Sequence, residues 1–366
     1  MPGNFDFRRW MTYVLMALAV FAIVVSGLSA IESNEWWIRI WDFPRIQILV
    51  AMTVLGIALA ALDWRKHVWL LAGLVIAGAW QFYRIVPYTP LVSPEVAMTT
   101  AAQDDEQCFS FVSLNVLQTN RDYDRTLRLL REIDADVLLL LETDAAWQAA
   151  LEPVLADYPE RLDRPLDNKY GLLFATRLPM ESGKIEDIAE PDTPSITAQL
   201  RTDRPFTLMG LHPRPPHPGQ DTEERDAEIL IAARRAAKLG MPVMAIGDFN
   251  DVAWSNTSQT FKRIGGYLDP RIGRGTYATF PAHLPWLAWP LDHVFMTKEF
   301  LIRDIRVLED VGSDHRPVYA NVCLAPRAAS VRNDRPDAVS EDDRETARDV
   351  MQDYREDKVD EANGAD

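Results

Sequence analysis

Eight polar side chains between residues 115 and 315 stand at the ends of apolar, strand-like runs. Asn115 closes SFVSLN, Glu142 closes DVLLLLE and His212 follows FTLMGL. Asp248 and Asn250 close PVMAIGDFN, Asp292 follows WPL, and Asp314 and His315 sit in VGSDHRPVYANV. Scaffolds project catalytic groups from such ends. Carboxylates and carboxamides suit a hard divalent cation, and imidazole beside carboxylate suits proton transfer. Together they have the chemistry for metal-assisted attack on a phosphate ester. A single Asp or Asn at a strand end reads equally well as a cap or turn former. That reading does not account for His212, Asp292 and His315 in the same series.

The elements that must position these groups fall in residues 107–326, long enough for one substantial α/β domain. RDYDRTLRLLREIDA reads as a helix, with Leu127, Leu130 and Ile133 at helical spacing. DTEERDAEILIAARRAAKL reads as a second, beginning in acids and ending in bases as the helix dipole favours. Pattern alone allows an ordinary doubly wound sheet.

Residues 1–86 are a different kind of object. Segments at about 12–31, 46–62 and 68–86 are almost free of charge and read as transmembrane helices. Trp64, Arg65, Trp80, Tyr83 and Arg84 supply interfacial flanks. Arg8, Arg9, Arg65 and Lys66 mark the cytoplasmic ends, so the chain from residue 87 onward is expected outside the cytoplasm. Reading the first segment as a cleaved signal peptide leaves the domain on that same side. Residues 87–106 read as a linker. Residues 327–366 carry 13 Asp or Glu against 7 Arg or Lys and read as a disordered or partly helical acidic tail.

LNV, the Glu after a buried strand, GDFN, LDHV and SDHRPV occur in that order. The series resembles the endonuclease/exonuclease/phosphatase superfamily over about residues 107–326. The resemblance implies a four-layer α-β-β-α sandwich of two mixed sheets. It implies Mg²⁺, with Mn²⁺ as the alternative, held mainly by Glu142 with Asn115 and Asp314 close by. Asp144, two residues on, competes with Glu142. Asp292 and His315 look like the family's catalytic pair, and Asp248 with Asn250 like the pair that aligns the nucleophile and holds the phosphate. Whether Asp248 or His315 is the base stays open. His212 corresponds to a His of the deoxyribonuclease and sphingomyelinase branches. His293 is expected to point to the opposite face. Arg214 and His217, in the proline-rich loop after His212, are candidates at the substrate mouth. Tyr170 and Asn168 are weaker carry-overs.

The architecture also resembles membrane-anchored, teicoplanin-resistance-type members, which suggests a lipid-linked phosphate or pyrophosphate as substrate. The chain is acidic, with formal net charge −16, and shows no basic stripe, which disfavours nucleic acid. Trp286, Leu287 and Trp289 just before Asp292 suit a lipid tail or the bilayer interface. A membrane-tethered nuclease and a non-catalytic anchored binding domain are the alternatives. In the resembling fold the first and last strands are antiparallel neighbours. A register pairing residue 115 with 316 also pairs Cys108 with Cys323, within reach of a disulfide in an oxidising compartment.

Overall fold

A computed structural model describes residues 6–100, 107–216 and 218–364, with side chains as far as residue 359. His217 and residues 101–106 of the expected linker lie outside the described residues. The chain opens with α1 (Phe7–Leu28), the single turn α2 (Trp36–Arg39), α3 (Arg45–Asp63) and α4 (Val68–Ile85). Then follow β1 (Cys108–Asn115), α5 (Tyr123–Ile133), β2 (Val137–Leu141), α6 (Ala145–Leu155), β3 (Glu160–Arg164) and β4 (Leu172–Thr176). The second half runs β5 (Met180–Asp187), β6 (Pro194–Arg201), β7 (Pro205–Leu211), α7 (Glu223–Ala236), β8 (Val243–Asp248) and α8 (Asn256–Gly265). It ends with β9 (Tyr267–Leu268), β10 (Asp292–Thr297), β11 (Phe300–Val307), β12 (Val318–Leu324), α9 (Pro326–Arg332) and α10 (Glu341–Gly364).

Two mixed six-stranded sheets, ordered β11-β12-β1-β2-β4-β3 and β5-β6-β7-β8-β10-β9, pack face to face. The run Val137–Leu141 shows why these residues make a central strand. Val137, Leu139 and Leu141 enter the core between the sheets, and Leu138 and Leu140 enter a second core beneath α5 and α6. A strand covered on both faces is apolar at every position. On the other sheet, Ile229 and Ala233 of α7 and Phe261 of α8 cover β7, β8 and β10. The sandwich is therefore the expected four layers, and the doubly wound alternative is excluded.

Gly247 sits at φ 135°, and a Cβ there would lie 2.1 Å from the Leu211 carbonyl oxygen. A glycine lets β8 close on β7 just before Asp248.

Helices α1, α3 and α4 are long and apolar enough to cross a membrane. A buried polar knot ties them together at one end. Arg45 donates to Gln81 at 2.9 Å and to the Ser29 hydroxyl at 3.1 Å, and pairs with Asp42; Gln81 in turn donates to Ser26 at 2.9 Å. The same end is joined to the sandwich. Trp254 donates its indole N–H to the Asp42 carbonyl at 2.7 Å, and the Thr222 amide donates to the Asn34 carbonyl at 2.9 Å. Tyr88 donates to the Ala253 carbonyl at 2.8 Å, and Arg84 donates to Asn256 at 2.8 Å.

One expectation is corrected here and one alternative is decided. Residues 89–100, expected as a tether, lie docked on the domain: Val96 is fully buried in the core between the sheets, and the Thr99 amide donates to the Ile302 carbonyl at 2.7 Å. Residues 327–364, expected as disordered or partly helical, take the helical alternative in α9 and α10. Asp343 pairs with Arg263 at 2.5 Å, Ala347 and Met351 are buried, and Tyr354 donates to the Ala189 carbonyl at 2.7 Å. Ala347, Met351 and Tyr354 fall on one face of α10, which packs on α7 and α8.

Cys108 and Cys323 are directly opposed on β1 and β12 and joined by a disulfide. The bond closes a span of 215 residues. Substituting both cysteines by Ser is expected to cost about 2–5 kcal/mol of stability, read as a lower urea midpoint. Thiol labelling of the unreduced, denatured protein is expected to find no reactive thiol.

Candidate active site

Four strand ends converge. β1 delivers Asn115, β2 delivers Glu142 on the residue that follows it, β8 delivers Asp248 and β10 delivers Asp292. Antiparallel pairing sets Asp292 directly opposite Asp248. Directly opposed side chains of one charge repel, and the loop before β12 relieves this by inserting His315. Its Nδ1 lies 2.8 Å from Asp292 Oδ2 and its Nε2 lies 3.4 Å from Asp248 Oδ2. Burial lowers the His315 pKa, but the charges of Asp248 and Asp292 and the hydrogen bond to Asp292 outweigh it and raise it to about 10. At neutral pH the ring is an imidazolium between two carboxylates. The Asp248 carboxyl is held above its usual range by burial, against the pull of His315.

His212 approaches from β7, with Nε2 3.8 Å from Asp248 Oδ2. Burial lowers its pKa, so it is neutral at pH 7, and its Nδ1 is buried without a partner. Asn250, at φ 50°, donates its backbone N–H to Asp248 Oδ1 at 2.9 Å and its side-chain amide to the Pro213 carbonyl at 3.0 Å.

Asn115 bridges the two sheets. Its amide donates to Glu142 Oε1 at 3.0 Å and to Asp248 Oδ2 at 3.2 Å, while its Oδ1 accepts from the Leu117 amide at 3.0 Å. Glu142 also accepts from the Gln118 amide at 3.0 Å and stands at φ 61°, an uncommon backbone conformation for a glutamate. Asp144 points away and caps α6 by accepting from the Trp147 amide at 2.7 Å. Asp314 is half-buried, and its carboxylate accepts only a long 3.4 Å contact from Ser313.

The donor set fits a divalent cation. Among the described residues no Lys or Arg pairs with Glu142, Asp292 or Asp314, and Asp292 Oδ1 is buried without a hydrogen bond. Glu142, Asp248 and Asp292 thus share one imidazolium, a surplus of negative charge that a cation offsets. Asp248, Asp292 and His315 also present ligand atoms within 4.8 Å of one another. His315 there is already held by two carboxylates, whereas the Glu142 oxygens accept from the neutral Asn115 and Gln118 amides.

Other candidates fall outside this cluster. His293 is fully buried on the opposite face, bonded to Arg271 and the Asp251 carbonyl. Arg214 is committed to Thr193 and the Pro191 carbonyl, with its guanidinium 5.3 Å from the Tyr170 ring. Tyr170 in turn lies 5.3 Å from the His212 ring, so both border the site without entering it. Asn168 is tied to the Asp192 carbonyl.

Sequence reading passed over two supports. Ser313 donates to the Asn115 carbonyl at 2.7 Å and accepts from the His315 amide, locking the final loop to β1. Arg225, buried on α7, donates to the Asn250 carbonyl at 3.0 Å. The serine was visible in SDH, but nothing in a charge-rich helix marked Arg225 as the buried one.

A family model described as the Endonuclease/Exonuclease/phosphatase family matches residues 112–315. No curated protein sequence matches the chain. A solved endonuclease/exonuclease/phosphatase family protein from Bacteroides thetaiotaomicron is similar at TM-score 0.50 and 15% identity, over 60% of this chain and 96% of that one. A mannosyl-6-phosphatase from the same organism gives 0.49 and 15%, over 58% and 99%. D. rerio TDP2, complexed with a single-strand DNA product, gives 0.49 and 18%, over 59% and 98%.

Two measurements test the electrostatics. Asp292→Asn removes a charge that raises the His315 pKa, so imidazole NMR titration is expected to find it below the wild-type value of about 10. A raised folded-state pKa stabilises the protein fully below the ordinary histidine value, and this is lost as pH climbs through about 10. The melting temperature of wild type relative to His315→Gln is therefore expected to fall between pH 6.5 and pH 10.

Proposed function

The chain belongs to the endonuclease/exonuclease/phosphatase family, and on that premise we propose a membrane-anchored, Mg²⁺-dependent phosphoester hydrolase acting outside the cytoplasm on a lipid-linked phosphate or pyrophosphate. Residues 1–86 are its anchor and 107–326 its catalytic domain, in the manner of the teicoplanin-resistance-type branch. The observation that carries the catalytic reading is His315 held between Asp248 and Asp292 beside an uncompensated Glu142.

In this reading Glu142 holds the cation, with Asn115 orienting its carboxylate and Asp314 nearby. A cation held there would supply charge neutralisation at the phosphate oxygens, which favours attack on phosphorus. The His315 imidazolium, fixed in its tautomer by Asp292, donates to a phosphoryl oxygen as charge builds there. Asp248 is left to receive the proton of the attacking water, and the raised pKa of its carboxyl favours that transfer. Neutral His212 offers an N–H to a second phosphoryl oxygen. Asn250 holds the loop that carries Asp248 against Pro213.

Helix polarity supports the proposed orientation. The α1 C-terminus, the α3 N-terminus and the α4 C-terminus are tied to the sandwich, which leaves Arg8, Arg9, Arg65 and Lys66 at the other end of the bundle. By the positive-inside rule that end is cytoplasmic. Trp286 stands 73% exposed on the loop before Asp292, and it suits a bilayer interface.

Glu142→Gln is expected to weaken the Mg²⁺ dependence of phosphate release, and His315→Ala to lower kcat by on the order of 10²–10⁴. Wild-type rates in both variants would remove the site from consideration. For orientation, alkaline phosphatase fused after residue 105 is expected to be active, and a cytoplasm-only fluorescent reporter at the same place dark. The opposite pattern places the domain inside.

A further inference from the structure

The segment between α1 and α3 is more than a connection. It carries the sequence EWWIRIWDF, and α2 splits it into two faces. Ile38, Arg39 and Asp42 point inward. Arg39 pairs with Asp42 at 3.0 Å, and the Asp42 carbonyl accepts from Trp254. Trp37 and Ile40 point outward, 47% and 49% exposed. They do not face open solvent alone, because they form one wall of a cavity of about 880 Å³.

The opposite wall comes from the catalytic domain: Pro216 of the proline-rich loop after His212, with Trp289 and Leu291 before Asp292. Asn250 and His315 line the same cavity, so its space is continuous with the proposed reacting groups. The two guanidinium groups that border it are already engaged, Arg39 with Asp42 and Arg225 with Asp226 and the Asn250 carbonyl. What faces the space is overwhelmingly aromatic and aliphatic. A volume of this size is at the upper end for small-molecule sites. It also lies at the end of the helix bundle where α1 stops and α3 begins.

We propose that this cavity is the binding site for the hydrocarbon chain of the lipid phosphate, and that Trp37 and Ile40 set chain preference. The inference rests on the phosphatase reading above and deepens it. The chain lies between the segment joining α1 to α3 and the loops before Asp292 and after His212, and the phosphate sits at His315. A nucleic-acid strand is the poorer occupant. Aromatic walls can stack bases, but strand binding also needs free basic groups along the backbone, and both guanidiniums here are paired.

Chain-length dependence tests this in the full-length protein in detergent. The probes are n-alkyl phosphonates from butyl to dodecyl, which keep the phosphoryl group but resist hydrolysis. Inhibition is scored against release of phosphate from dodecyl phosphate and dodecyl diphosphate. Wild-type inhibition is expected to strengthen about fourfold per methylene while the chain still gains wall contact. Ile40→Asp and, separately, Trp37→Ser are expected to flatten that dependence, lowering the dodecyl-to-butyl ratio at least tenfold. Both residues are half-exposed, so the fold does not depend on them. Leu239→Asp, an exposed apolar site beyond α7, is expected to keep the wild-type ratio and controls for micelle partition. Release of phosphate with unchanged ratios in both cavity variants overturns the chain site and leaves the hydrolase reading standing. No release from either dodecyl substrate, with efficient nicking of plasmid DNA, overturns both.

Discussion

The site depends on one register. Pairing β8 with β10 so that Asp248 faces Asp292 places two carboxylates side by side in a buried position. Two buried like charges cannot both persist uncompensated. His315 makes the arrangement tolerable by contacting both, and its position follows from Ser313, which ties the final loop to the Asn115 carbonyl. Asn115 then links Asp248 to Glu142 across the two sheets. A slip of one residue in β10 would turn Asp292 to the other face, where His293 now meets Arg271. The sheet pairing and the proposed chemistry are therefore one constraint.

Much of this was legible because each functional group ends an apolar strand. The continuous run VLLLL announced a strand covered on both faces, and the spacing of Leu127, Leu130 and Ile133 announced α5. The Cys108–Cys323 pairing followed from the resembling topology, and the register agrees. The sequence favours Glu142 over Asp144 because Glu142 directly ends the apolar run, but the part Asp144 plays instead was not legible. Geometry separates them, because Asp144 caps α6. The state of His315 was equally hidden. It depends on distances to two carboxylates 67 and 23 residues away in sequence, and no local pattern carries those.

The least legible part was the relation between the anchor and the domain. Composition separates residues 1–86 from the rest so strongly that the two read as independent bodies with a tether between them. The contacts run otherwise. Tyr88 bonds to the Ala253 carbonyl and stacks edge-on against Trp254, and Val96 completes the core between the sheets. Asn34, between α1 and α3, bonds to Glu223 at the start of α7. The acidic tail reads as disordered or partly helical, and which of the two was hidden for a related reason. High charge density predicts solvation, but Asp343, Ala347, Met351 and Tyr354 pack or bond to the domain, and Lys358 pairs with Glu190.

These contacts change what the segment between α1 and α3 contributes. Its inward face spends its polar groups on the joint, through Arg39, Asp42 and the Trp254 indole. Its outward face offers Trp37 and Ile40 to the space bordered by His315. Charge–charge attraction weakens as water enters, because the effective dielectric rises. Burial by itself lowers the His315 pKa, and Asp248 and Asp292 overcome it; an apolar wall beside the ring keeps water from screening those two charges. A chain lying in the cavity would exclude water further as the phosphate arrives. In the proposed mechanism the anchor would then act on the site as well as hold it at a surface, because part of the wall beside the reacting groups comes from the segment joining two of its helices.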